Sequence, residues 1–179
     1  MALSATMRKF AINLADSDRG VYELLEWRVA QHPSENVRFL AARVLARVLE
    51  HAEGVDFSKD GLSDEDEPAL HQKNLRGEWQ AWIEVGSPTP DRLHKAAKKA
   101  PRVVVYAWRN VQALADAIRE RKVHKMDELK LVSLDEATLD EIGAKLDRQN
   151  TWELAVSGGT IYLTAGDSTF ELTPEQIPL

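Results

Sequence analysis

Two acidic residues and a basic segment carry the clearest chemical signal in this sequence. Glu67 precedes Pro68, and Glu84 lies within an alternating apolar segment, so each carboxylate has a defined local backbone. Mg²⁺ takes carboxylate oxygens from protein elements while it keeps several of its waters. Glu67 and Glu84 therefore predict a site for Mg²⁺ or Mn²⁺, provided that the strands beside them are neighbours.

A basic segment follows Glu84 directly, and residues 92–102 contain no acid. Its basic residues at helical spacing are Arg92, Lys95, Lys98 and Lys99. Such side chains supply affinity for phosphates without reading sequence, so a basic helix at 91–100 predicts nucleic acid binding. Acids followed by cations also fit metal-assisted phosphodiester cleavage, in which the metal lowers the pKa of a bound water and a lysine offsets charge.

Each of these signals has a plainer alternative. Glu84 fits equally well on the solvated face of a half-buried strand. The acids at 64–67 fit a solvated loop, and the basic segment fits a solvated helix face. Glu35, which we expect in the first turn of a long helix, either favours the positive end of the helix dipole or is a third acid of the cleft.

Composition excludes several classes of function. The 179 residues include no cysteine, which excludes disulfides, thiolate catalysis, Cys–zinc sites and iron–sulfur clusters. A net charge of −6 disfavours a protein that wraps nucleic acid with a wholly cationic surface. The motifs H-E-x-x-H, G-x-x-x-x-G-K-[ST], G-x-G-x-x-G and G-x-S-x-G are absent, so the zincin, kinase, Rossmann and α/β-hydrolase classes lack their signatures.

Hydropathy predicts a cytoplasmic protein that does not enter a membrane. The longest apolar run is Val103–Trp108, which is far shorter than the roughly 20 residues that span a bilayer. Arg8 and Lys9 interrupt the first segment of the chain, so we do not expect a signal peptide there. The length favours a single domain over residues 1–179.

The elements that position the candidate residues follow from periodicity. Residues 5–14 alternate and predict a strand, whereas residues 21–31 fit either a helix or the second strand of a hairpin, which the short turn between them favours. Pro33 is expected to open a long helix that Gly54 ends.

Residues 79–134 alternate between strand and helix patterns, which predicts parallel strands joined by right-handed crossovers. The predicted strands are 79–86, 103–108 and 129–134, and the predicted helices are 91–100 and 111–122. In the first of these strands, alternation places Trp79 on one face and Trp82 with Glu84 on the other.

The C-terminal part predicts a helix and then antiparallel strands. The helix is expected at 134–146, and Gly158-Gly159 signals a two-residue hairpin between strands 151–157 and 160–164, with a third strand at 168–172. We therefore expect an α/β (α+β mixed) fold. It would have a central mixed sheet flanked by helices, an N-terminal hairpin and a C-terminal antiparallel meander.

Several residue strings, in this order and spacing, resemble the bacterial YaeQ family from Met1 to about Leu163. The strings are Met1-Ala2-Leu3-x-Ala5-Thr6, His32-Pro33-Ser34-Glu35 followed by Arg43, Asp66-Glu67-Pro68, Trp82-Ile83-Glu84-Val85-Gly86-x-Pro88, Arg92-x-x-Lys95-Ala96 and Asp147-Arg148. The resemblance implies a variation of the PD-(D/E)XK nuclease core, in which two acids bind Mg²⁺ and a lysine acts as base or charge stabiliser.

The resemblance also implies roles for individual residues. By position, Glu84 matches the second acid, Glu67 is the candidate for the first, and Glu35 resembles an additional helix acid. Ala69 follows Pro68 where a nuclease carries an aspartate, and Gly86 stands where the lysine is expected. In this chain Lys95, or neutral Ser87, would then occupy the space of that lysine.

Two functional hypotheses result. The first is a Mg²⁺- or Mn²⁺-dependent nuclease-like protein. Its catalytic residues would be Glu84, Glu67, Lys95 and Glu35, its metal ligands Glu67 and Glu84, and its nucleic-acid-binding residues Arg92, Lys95, Lys98 and Lys99. The alternative is a decayed nuclease-fold module that binds nucleic acid or a protein partner without cleavage, which Ala69 and Gly86 favour.

Overall fold

The computed structural model describes residues 4–59 and 64–179 and confirms a mixed α/β fold. The strands in these ranges are β1 (Thr6–Asp16), β2 (Val21–Gln31), β3 (Val55–Phe57), β4 (Leu70–Lys73), β5 (Trp79–Val85), β6 (Arg102–Ala107), β7 (Lys130–Ser133), β8 (Gln149–Ser157), β9 (Thr160–Ala165), β10 (Ser168–Leu172) and β11 (Glu175–Ile177). The helices are α1 (Val37–Leu49), α2 (Pro90–Lys99), α3 (Val111–Arg121) and α4 (Glu136–Ala144).

The strands of the described residues form two sheets instead of one central sheet. One has five strands in the order β10-β9-β8-β1-β2, and the other has six in the order β11-β7-β6-β5-β4-β3. The chain divides into two compact units, Met1–Ala41 with Asp135–Pro174 and Ala42–Leu134 with Glu175–Leu179. Each sheet lies within one unit, and the single domain stays a prediction.

In the first unit, the hairpin interpretation of residues 21–31 is confirmed. β1 and β2 pair antiparallel along their full length, and β8, β9 and β10 form the predicted antiparallel meander. β1 also pairs parallel with β8. Phe10 and Trp152 are buried from these two strands, and their ring centroids lie 5.2 Å apart in an edge-to-face contact.

The long helix α1 begins at Val37, so the prediction that Pro33 opens it is wrong. Asn36 is the residue that caps the helix, because its Oδ1 accepts a hydrogen bond from the Phe39 amide at 2.8 Å. Glu35 therefore lies in the turn before the helix and not in its first turn.

The second unit contains the predicted strand–helix alternation. β5, β6 and β7 pair parallel, with α2 and α3 as the crossovers, and β4 pairs antiparallel with β5. Sequence reasoning missed β3 and β11, since three residues are too few to show a period. Within the described ranges, no helix has both the length and the apolar character needed to cross a membrane.

A β-bulge between β4 and β5 changes the face on which Trp79 lies. Gln72 pairs with Ala81, but Lys73 pairs with Trp79, so Gln80 is an extra residue in β5. The extra residue turns Trp79 to the face of Trp82, and the two ring centroids lie 5.2 Å apart. The predicted placement of these tryptophans on opposite faces is therefore wrong.

Candidate functional site

Glu84 is a buried carboxylate that accepts hydrogen bonds from two side chains. It lies near the end of β5, where residues 81–85 are all buried, and it is 5% exposed. Its Oε1 accepts hydrogen bonds from the Trp82 indole Nε1 and from the Arg92 Nε, both at 2.6 Å. The alternative of a carboxylate on a solvated strand face is therefore wrong.

Burial controls the electrostatics of Glu84. The pKa of this carboxyl is raised above its usual value, chiefly because burial penalises the charged form. The charge of Arg92 and the hydrogen bonds from Trp82 and Arg92 oppose that rise. The ion pair thus offsets part of the cost of placing a carboxylate in this sheet.

The Arg92 guanidinium ties the loop before β4 to the strand β5. Its Nη1 donates to the Glu65 carbonyl at 2.6 Å and its Nη2 to the Glu67 carbonyl at 2.5 Å, while its Nε holds Glu84. One planar side chain therefore brings the Glu84 carboxylate and the Glu67 backbone together, as the neighbouring positions of β4 and β5 require. The charge of Glu67 also acts on His71, where it opposes the lowering of that pKa by burial.

Gly86 occupies the place of the expected lysine for a reason that lies in the backbone. Its φ is +100°, a conformation that L side chains rarely adopt, and its amide donates to the Tyr106 carbonyl at 2.8 Å. The chain then turns into α2, whose cap Thr89 accepts a hydrogen bond from the Arg92 amide at 3.2 Å. The backbone that directs Arg92 back to Glu84 is thus one in which lysine would be strained.

A cavity of about 550 Å³ lies beside α2 in this unit. Three of the four predicted basic residues, Arg92, Lys95 and Lys99, line it, whereas Lys98 does not. The side chains of Ser87 and Thr89 add hydroxyl groups at the start of the helix. The remaining lining residues are Glu65, Asp66, Trp82, Pro88, Asp91 and Ala96.

Ion pairs occupy most of the charges of this cavity. Lys99 Nζ lies 3.1 Å from Asp66 Oδ1, and this bond with Lys99 lowers the pKa of Asp66. Arg121 binds Asp91 at 2.5 Å and likewise lowers the pKa of that carboxyl. The side chain of Lys95 is exposed and makes no hydrogen bond or ion pair with any of the described residues. It is therefore the cation of the cavity wall that is available to a ligand.

The indole of Trp82 contacts two of these cations. It is 2% exposed, with the Arg92 guanidinium carbon 5.7 Å and the Lys99 Nζ 5.5 Å from its ring centroid. These cation–π contacts favour the observed positions of the Arg92 and Lys99 side chains beside the sheet.

Glu35 lies in the first compact unit and is 7% exposed. Its Oε2 accepts a hydrogen bond from the His32 amide at 3.1 Å, and its carbonyl accepts one from Gln31 Nε2 at 2.9 Å. These bonds stabilise the turn that leads from β2 to α1. The role of Glu35 as a third catalytic acid stays a prediction.

Across residues 4–59 and 64–179, no three side chains of the His, Asp or Glu type converge on a point that would hold a metal ion. Mg²⁺ needs only one or two carboxylates when a substrate phosphate supplies further oxygens. Coordination by Glu67 and Glu84 therefore stays a prediction.

Sequence reasoning missed two pairings within the site. It treated Arg92 as a phosphate ligand, although the guanidinium is the partner of Glu84, and it did not pair Asp66 with Lys99. No local spacing signals either pair, because the partners lie on different elements. The unbroken burial of β5 from Ala81 to Val85 is the signal that Glu84 must have a partner.

Comparisons with known proteins find the same similarity over nearly the whole chain. A family model described as "YaeQ protein" matches residues 1–174. A relative from Salmonella typhi called "Uncharacterized protein YaeQ" is 31% identical over 173 residues, which are 96% of this chain and 95% of the relative. The relative of that name from Escherichia coli (strain K12) is 30% identical with the same coverage.

Two solved structures share the fold. The crystal structure of YaeQ protein from Pseudomonas syringae has a TM-score of 0.91 and 30% identity, and the match covers 98% of this chain and 97% of that one. The crystal structure of YaeQ protein from Xanthomonas axonopodis pv. citri has a TM-score of 0.86 and 28% identity, with 98% and 99% coverage.

Proposed function

The chain belongs to the YaeQ family, and from that premise we propose that it binds the phosphodiester backbone of a nucleic acid in the cavity beside α2. The observation that carries the proposal is the placement of Arg92, Lys95 and Lys99 along one wall of that cavity, beside the hydroxyls of Ser87 and Thr89. Ammonium and hydroxyl groups are the side chains with which proteins commonly hold phosphate oxygens.

The three cations have different roles in this proposal. Lys95 is available without rearrangement, so it is the first contact of the phosphate. Lys99 must leave Asp66, whose side chain is 85% exposed, and such a surface pair contributes only about 0–1 kcal/mol. Arg92 stays bound to Glu84 and acts as a positioning residue that holds the loop of Glu65 and Glu67.

The test measures binding of a fluorescein-labelled single-stranded oligonucleotide by anisotropy across a salt series. Lys95→Ala combined with Lys99→Ala removes two phosphate contacts, so we expect the slope of log affinity against log salt to fall by about 1.4. Lys98→Ala is the matched control, because Lys98 lies on the same helix with the same charge and does not line the cavity.

The control separates a site from general electrostatic attraction. If Lys98→Ala changes the slope as much per charge as the double variant does, the cavity is not the binding site. Wild-type protein that shows no salt-dependent binding would refute the proposal outright.

Metal-assisted cleavage of the bound phosphodiester is the second candidate function. Glu84 Oε2 accepts no hydrogen bond from the described residues, and Asp66 stands on the cavity wall with an exposed carboxylate. Glu84, with Glu67 or Asp66, would hold Mg²⁺ or Mn²⁺, which would polarise the phosphate and lower the pKa of a bound water. Against it, the guanidinium of Arg92 already neutralises Glu84 and repels a second cation.

Calorimetry of Mn²⁺ binding distinguishes the two candidates. Glu84→Gln keeps the size of the side chain and removes the charge that a metal needs. A site in the wild type that this substitution abolishes, together with Mn²⁺-dependent cleavage of the oligonucleotide, would establish the nuclease. If the oligonucleotide binds and stays intact with Mn²⁺ present, the protein is a binding module.

A further inference from the structure

The β-bulge extends the cavity wall into a row of rings and cations, of which Lys73 and Trp79 do not line the phosphate site. Lys73 Nζ lies over the Trp79 ring, 4.3 Å from its centroid. The Trp79 and Trp82 centroids are 5.2 Å apart at an interplanar angle of 35°, and Lys99 Nζ is 5.5 Å from the Trp82 centroid. The row thus continues from the cavity wall along the face of β4 and β5.

The two indoles of this row differ in burial. Trp82 is buried in the core between β5 and α2, whereas Trp79 packs against that core and stays partly exposed. Trp79 is thus backed by a fixed ring, and the group over it is an ammonium on a flexible, partly exposed stem. Lys73 covers an aromatic face that the apolar core leaves open.

A nucleobase can displace Lys73 from the Trp79 ring. An exposed cation–π contact is formed in preference to broken by a factor of about two to five. Stacking of one base on an aromatic side chain strengthens binding about five- to hundredfold. Stacking of a base on Trp79 is therefore more favourable than the contact of Lys73 with that ring. The displaced ammonium of Lys73 can then bind a backbone phosphate.

We propose that Trp79 is a stacking platform for a nucleobase and that the ligand of this protein is a single-stranded nucleic acid. Its phosphate lies at Lys95 and Lys99, and the base of a nearby nucleotide lies on Trp79. The inference rests on the proposed phosphate site and names the strand form of its ligand. Every base has a π face, so the platform does not select sequence, and a duplex hides those faces inside its stack.

The charges along the row agree with this ligand. Lys73, Lys95 and Lys99 are cations on partly or fully exposed stems. The acids that line the cavity from the loop before β4 are Glu65 and Asp66, and the bond of Asp66 to Lys99 is exposed. A polyanion with exposed rings is complementary to both the ammonium groups and the indoles, whereas an acidic partner without rings matches only the ammonium groups and a purely apolar partner only the indoles.

The experiment compares two single strands of equal length, oligothymidylate and the same backbone with abasic sites. Wild-type protein should bind oligothymidylate about tenfold more tightly than the abasic strand at the same salt concentration. Trp79→Ala should abolish this preference and leave the affinity for the abasic strand unchanged. Trp79→Phe keeps an aromatic face and should retain most of the preference.

Fluorescence gives an independent readout of the stacked ring. Oligothymidylate should quench the indole emission of wild-type protein, and Trp79→Phe should remove that quenching although it still binds the strand. The abasic strand should quench neither protein.

The outcomes separate failure of this inference from failure of the phosphate site. If wild-type protein binds both strands equally, or if Trp79→Ala keeps the preference, the platform is refuted while the phosphate site stands. If neither strand binds, or if binding ignores Lys95 and Lys99, the phosphate site itself is refuted. Retained affinity of Trp79→Ala for the abasic strand shows that the variant is folded.

Discussion

The strands β8 and β5 each carry a glutamate, but its surroundings differ between the two sheets. β8 alternates between buried and exposed residues, and Glu153 lies on its exposed side, where Oε2 accepts a hydrogen bond from Asn13 Nδ2 at 2.9 Å. β5 is buried on both faces from Ala81 to Val85, and Glu84 lies within that buried run. A sheet covered on one side leaves an acid to water, whereas a sheet covered on both sides must supply partners for it.

This difference bears on the site that we propose in the six-stranded sheet. A buried ion pair is weak evidence for a contribution to stability, because desolvation of the two charges offsets their attraction. An apolar residue at position 84 would avoid that cost. The Glu84–Arg92 pair, whose guanidinium lines the cavity with Lys95, therefore fits the site that we propose in the six-stranded sheet.

The largest expected effect is the loss of stability when Glu84 is removed, which we compare with the removal of Glu153. Glu84→Ala removes the acceptor of the buried Trp82 N–H and of the Arg92 Nε, so we expect a loss of about 3 kcal/mol in the free energy of unfolding. Glu153→Ala should change the free energy by less than about 0.5 kcal/mol, since its site is exposed. Urea denaturation at neutral pH measures both.

The proposed difference between the two sheets is contradicted if the two variants unfold at the same urea concentration. Such a result would mean that Arg92, which also donates to the Glu65 and Glu67 carbonyls, keeps its place without Glu84. The denaturation slope should be equal in all three proteins, because a change in it would signal an altered unfolded state.

Two glycines extend the same comparison to the loops. Gly54, before β3, has φ +81°, and a Cβ there would lie 2.2 Å from the Lys73 carbonyl oxygen. Gly166, between β9 and β10, has φ +63° with open space around it. We expect Gly166→Ala to cost about 1 kcal/mol for the left-handed backbone and Gly54→Ala about 2–4 kcal/mol, since the carbonyl must also move.

Thermal denaturation of the two alanine variants measures this difference. Equal midpoints would show that the backbone at Lys73, at the end of β4, moves at little cost in free energy. The β-bulge beside it would then be flexible instead of rigid. A lower midpoint for Gly54→Ala supports a rigid bulge.

The fold was largely predictable from sequence because its elements have strong periods. The crossovers between 79 and 134 and the final meander lie within a few residues of their predicted bounds. The start of α1 was not predicted, because the Asn36 cap sets it, and Pro33 fits a turn as well as it fits the first position of a helix. The division into two sheets was not predicted either, since strand pairing between distant segments leaves no local pattern.

For the candidate site, the positions of several side chains were predictable from sequence, and their pairings were not. Alternation correctly placed Trp82 and Glu84 on one face, and helical spacing placed Lys95 and Lys99 with Arg92. The extra residue Gln80 put Trp79 on that same face, and one inserted residue leaves no signal in a pattern of period two.

The last and smallest expected effect is a dependence of stability on pH. The folded protein raises the pKa of Glu84 above its usual 4.5, so between these two values the folded state binds more protons than the unfolded state. The contribution of Glu84 to the free energy of unfolding is therefore fully present below about pH 4.5 and falls as the pH rises through the raised pKa. Glu84→Gln lacks this titration.

Urea denaturation of wild-type protein and Glu84→Gln from about pH 4 to about pH 8 isolates this contribution, because Asp66 and all other groups titrate in both. The stability of the wild type relative to the variant should decrease as the pH rises. An increase with pH would instead mean that Arg92 outweighs burial, and that Glu84 is held as a carboxylate even more strongly in the folded protein than in water.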